Sequence, residues 1–65
     1  MVSELEIFQV ANLYLKQHGE DAEIVAATRA DELLASGEID GERMWLRVIR
    51  AIKELRRTVP DRTLH

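Results

Sequence analysis

In 65 positions the chain has no cysteine, one proline, three glycines and three aromatic residues. Each scarcity removes a class of explanation. Without cysteine there is no disulfide and no thiolate metal site, and the chain suits a reducing compartment, so a cytoplasmic location is expected. The single proline stands at position 60, which leaves residues 1–59 free of the strongest helix breaker. No apolar run approaches the roughly 18 residues needed to span a bilayer. The opening MVSELEIF carries acid where a secretion signal carries Lys or Arg. A soluble protein with no membrane role is expected. No segment alternates apolar and polar residues with β-branched enrichment, so no sheet is expected.

What remains is an ordinary globular mixture, 46% hydrophobic and 32% charged. A chain of this length has room for one core, and it hides only about 60% of the surface that its unfolded form exposes. The expected organisation is a single helical domain over residues 1–59, followed by a short disordered tail at 60–65.

Punctuation divides the domain into three helices. Ser3 and Glu6 have the spacing of a capping box, in which each side chain satisfies the other's free backbone N–H. The first helix therefore spans about 3–18 and stops at Gly19. Its face of Ile7, Phe8, Val10, Ala11, Tyr14 and Leu15 leaves Leu5 and Leu13 outside. The second helix runs over about 21–36, started by the acids of Glu20, Asp21 and Glu23 and stopped by Gly37. Ala22, Ala26 and Ala30 form an i, i+4 ridge joined by Ala27, Leu33 and Leu34, while Ile24 points elsewhere. The third helix spans about 40–58, with Asp40 as its N-cap and Ile39 and Met44 as a hydrophobic staple. Val59 and Pro60 end it. Its apolar face holds Met44, Trp45, Val48, Ile49, Ile52 and Leu55, and Trp45 reads as a core residue. The fold class is all-α, a compact three-helix bundle. A helical hairpin in a homodimer is the rival, and it would bury Leu5, Leu13, Ile24 and Leu46 between subunits.

The net charge of −3 conceals a division. Residues 1–40 hold nine acids and two bases, −7, whereas residues 41–65 hold three acids and seven bases, +4. Arg43, Arg47, Arg50 and Arg57 lie on the outer face of the third helix. Two uses are open to them. They can answer the acids of the first two helices, or they can be offered to a partner.

Chemistry-bearing patterns are missing. There is no glycine-rich phosphate loop and no His-x-x-x-His or Glu-x-x-His spacing. His18 reads as a capping residue at a helix C-terminus, where the dipole favours positive charge, and His65 is the final residue. Ser3 and Ser36 read as cap residues without a general base. No enzyme activity, cofactor, metal or small-molecule substrate is expected.

The stretch ANLYLKQHGEDAEIVAATRADELLASGEIDGERMWLRVIRAIKEL, residues 11–55, resembles a family of short bacterial proteins of unassigned function. They share an A-N-L segment, an R-A-D-E-L stretch and a W-L-R ending. The resemblance implies a small α-helical protein and carries no site residues across.

The residues thus lead to a non-enzymatic module that contacts another protein or a second copy of itself. Leu5, Leu13, Ile24 and Leu46 are the candidate contacts, with Arg43, Arg47 and Arg50 as charges at the rim. The alternative is a weak nucleic-acid binder using the basic face of the third helix. It has the gross order of a helix-turn-helix. Nucleic acid is disfavoured by Asp40 and Glu42 in the turn that would meet bases, and by a pI near 5.3.

Overall fold

The computed structural model describes residues 3–58. The expected tail at 60–65, and the stop at Val59 and Pro60, lie outside the described residues. Three helices account for almost all of the rest: α1 (Glu4–His18), α2 (Ala22–Ala35) and α3 (Ile39–Thr58). No strand occurs among the described residues.

The capping box opens α1. The Glu6 N–H donates to Ser3 Oγ at 3.2 Å, and the Ser3 N–H donates to Glu6 Oε1 at 3.0 Å. Gly19 closes the helix with φ 55° and ψ −124°, a backbone that a side chain would strain. A single 3₁₀ turn, Gly19–Asp21, then leads into α2. Asp21 makes no side-chain cap on that helix.

The link from α2 to α3 is a Schellman turn. The Gly37 N–H reaches the Leu34 carbonyl at 3.0 Å, and the Glu38 N–H reaches the Leu33 carbonyl at 2.8 Å. Gly37, at φ 82°, supplies the left-handed step. The same turn moves the start of α3. The Glu38 carbonyl already accepts from the Glu42 N–H at 2.9 Å, so Ile39 is the first helical residue. This corrects the expected start. Asp40 lies inside the first turn and is not the N-cap, and Ile39 does not stand before the cap as a staple residue would. Gly41 is likewise helical. A Cβ there would lie 3.3 Å from Leu33 Cδ1, so the missing side chain lets α2 approach closely.

Leu33 over Gly41 at one end and Glu23 against Arg56 at the other make α2 and α3 an antiparallel hairpin. On α1, Glu4 reaches Arg47 and Tyr14 packs on Trp45. Positions ten apart on α1 thus meet positions two apart on α3, so α1 crosses α3 obliquely. The core is small-residued. Ala11, Ala22, Ala26, Ala30 and Ala51 are buried, and the larger buried side chains are Ile7, Val48 and Ile52. Phe8, Val10, Tyr14, Leu15, Met44, Trp45, Ile49 and Leu55 are half-buried around them. The alanine ridge of α2 reaches the core as expected, but Leu34 does not and is 50% exposed. Each i+4 step carries a ridge about 40° past a full turn, so by Leu34 it has rotated out of contact. No buried side-chain polar atom lacks a partner among the described residues.

Candidate interaction surface

The four candidate aliphatic contacts are all on the surface: Leu5 is 68% exposed, Leu13 50%, Ile24 66% and Leu46 48%. They are not one patch. Leu5 and Leu13 lie on the side of α1 away from Ile7 and Ala11, and Ile24 is far round α2 from its alanine ridge. Leu46 lies on α3 opposite Val48, Ala51 and Ile52. Leu5 and Leu13 therefore open on a different helix and side from Ile24 and Leu46. Leu34 and Ile39 join the exposed set, each close to half accessible. The sequence held a signal for both: the drift of the alanine ridge for Leu34, and the i, i+7 spacing from Leu46 for Ile39.

The three rim arginines separate. Arg47 Nη2 stands 3.3 Å from Glu4 Oε2 on α1. Arg43 and Arg50 make no ion pair among the described residues. Arg56 reaches Glu23 on α2 at 3.0 Å. Arg57 approaches Glu54 at 3.9 Å, and Arg29 pairs with Glu32 at 3.2 Å. The acidic first forty residues therefore answer part of the basic helix. All these pairs are partly solvated, and each contributes about 0–1 kcal/mol.

A shallow cleft of about 80 Å³ lies between α1 and α3, with Ile7, Phe8 and Ala51 as its floor and Glu4, Arg47, Arg50 and Glu54 around it. That is far below the several hundred Å³ typical of small-molecule sites. Tyr14 links Trp45 and His18, with ring centroids 5.1 Å apart in both contacts. Trp45 is thus half-buried against α1, as a core residue should be. Among the described residues, no group of three or more His, Asp or Glu is placed to hold a metal ion. None of the described helices is long and apolar enough to cross a membrane.

No known protein family, curated protein or solved structure matches this chain.

Proposed function

We propose that the protein is a small non-enzymatic helical module that acts in the cytoplasm by contact with a protein surface. The observation that carries this reading is the distribution of large aliphatic side chains. Ile7, Val48 and Ile52 are buried, while Leu5, Leu13, Ile24, Leu34, Ile39 and Leu46 are each at least 45% exposed. Small domains are short of buried apolar area. One that leaves six large aliphatics in water forgoes about 25 cal/mol for each Å² left uncovered. A partner that covers them recovers that free energy on association.

The rival reading, a weak nucleic-acid binder, draws on Arg43 and Arg50, which are exposed and without ion pairs among the described residues. Against it, Arg47 and Arg57 are both drawn to carboxylates, and Asp40 and Glu42 occupy the first turn of α3.

The test is cross-linking in cells. A photoreactive residue is placed in turn at Leu5, Leu13, Ile24 and Leu46, with exposed Gln17 as the control. Adducts at one or more aliphatic positions and none at Gln17 are expected. Absence of adducts at all four positions would overturn the reading.

A further inference from the structure

Three surfaces are open to a partner: the outer side of α3, the outer side of α1, and the cleft between α1 and α3. The outer side of α3 mixes its charges, with Glu42 on the same side as Leu46 and Lys53, and selects no partner by charge. The outer side of α1 sets Leu13 among Gln9 and Asn12 and selects none either. The cleft combines a size, an apolar floor and an unmatched charge.

Ala51 makes the cleft. Its methyl group stands one helical turn from Arg47 and one from Glu54, and the longer side chains of both border the space it leaves. Ile7 and Phe8 of α1 complete the floor. The volume, about 80 Å³, is close to half the ~150 Å³ that holds a benzene ring. The space suits a branched aliphatic side chain rather than an aromatic one. Leu5, 68% exposed, lies about 60° round α1 from Phe8 and extends the apolar surface past the rim.

Four charged side chains surround that floor, and three of them are matched. Arg47 pairs with Glu4 across the helices at 3.3 Å, and Glu54 draws Arg57 to 3.9 Å. Arg50 makes no ion pair among the described residues. Its guanidinium donors are therefore open to an acceptor from outside. Glu4 and Glu54 stand at the same cleft, so a strongly acidic segment is repelled, whereas a single carboxylate is met by Arg50.

We propose that the cleft takes one branched aliphatic side chain from a partner protein, with a single neighbouring carboxylate held by Arg50. This rests on the reading of the protein as a contact module and names the segment its partner offers. The occupant is part of a protein chain, because one side chain in so small a space does not offset the lost freedom of a free small molecule. A chain that continues past the cleft also covers Leu5. Its carboxylate can bond Arg50 at two points, the geometry a guanidinium favours. Both groups are needed, since the floor answers only the aliphatic one and Arg50 only the acid.

The experiment is a titration of the full chain with the peptide acetyl-Ala-Leu-Glu-Ala-amide, followed by amide NMR shifts, with circular dichroism to verify that each variant folds. Shifts should centre on Ile7, Phe8 and Ala51, with a Kd in the millimolar range. Replacing the peptide's Glu by Gln, or Arg50→Gln in the protein, should each weaken binding at least ~3-fold. The two losses should not add, because they break the same contact. Replacing the peptide's Leu by Ser, or filling the cleft with Ala51→Leu, should abolish the shifts. Arg43→Gln removes an unpaired arginine outside the cleft and should change nothing. Absence of shifts at the floor residues overturns the proposal, as does binding that Arg50→Gln leaves intact or that Arg43→Gln weakens equally. If Ala51→Leu does not fold, Arg50→Gln and the Ser peptide decide the matter by themselves. If the peptide does not bind yet a cross-linker at Leu13 or Ile24 captures a protein in cells, the cleft proposal falls and the broader contact reading stands.

Discussion

Replacing Ile52 by alanine removes three carbons from a side chain that is 0% exposed, whereas the same change at Ile24 acts on one that is 66% exposed. The pair isolates burial, since the chemistry of the deletion is identical. At about 0.8 kcal/mol per buried methylene, the transfer loss at Ile52 is about 2.4 kcal/mol. The cavity left beside Val48 and Ala51 raises the expected cost to about 3–4 kcal/mol. A domain of this length has about 3–10 kcal/mol of stability in all, so the variant loses about a third of it or more. At about 4–8 °C per kcal/mol, Tm falls by about 12–30 °C. At Ile24 only about a third of the transfer term applies, ~0.8 kcal/mol. The better helix propensity of alanine offsets about half of that. The assay is thermal and urea unfolding followed by helical circular dichroism, at concentrations low enough that association contributes nothing. If the two variants differ by less than ~1 kcal/mol, the assignment of Ile52 to the core and Ile24 to the surface is wrong.

Four further outcomes are expected. Gly37→Ala should cost about 1–2 kcal/mol because φ is positive there, and Gly19→Ala at least as much. Gly41→Ala should be neutral or stabilise by up to ~0.5 kcal/mol in the same unfolding assay, as the half-buried Leu33 side chain can yield and helix propensity improves. Ser3→Ala removes an N-cap and should cost about 1 kcal/mol, with the loss of amide protection confined at first to the opening turn of α1. A double-mutant cycle on Glu23 and Arg56 should give a coupling below ~1 kcal/mol that shrinks as salt is added; a salt-independent coupling of several kcal/mol would refute the solvated character of the pair.

Much of the fold was legible because local chemistry dictates it. The Ser3–Glu6 box, the stops at Gly19 and Gly37, and the alanine ridge act through neighbours in sequence, so their patterns carry their meaning. The outward positions of Leu5, Leu13, Ile24 and Leu46 followed from the helical wheel alone. The start of α3 was less legible. Asp40 is a good cap residue, but the Schellman turn delivers the chain already helical at Ile39, and hydrogen bonds of the preceding helix decide that. Gly41 looks like punctuation until Leu33 is placed against it. Arg56 meeting Glu23, and Arg47 but not Arg43 or Arg50 finding an acid, depend on how helices cross. No window along the sequence holds that information.

The alanine ridge has a consequence for how α2 keeps its place. Ala22, Ala26 and Ala30 repeat the same side chain at every turn. Sliding α2 along α3 by one turn, about 5.4 Å, would exchange alanine for alanine and leave that contact nearly unchanged. The ridge grants close approach without measuring position. Longitudinal register is held by the two ends of the hairpin, where Leu33 seats over Gly41 and Glu23 meets Arg56. Each latch is light by itself, since the ion pair is solvated and Leu33 can yield, so the loss of one leaves α2 in place and the loss of both would let it slide along α3 before it lost its helix.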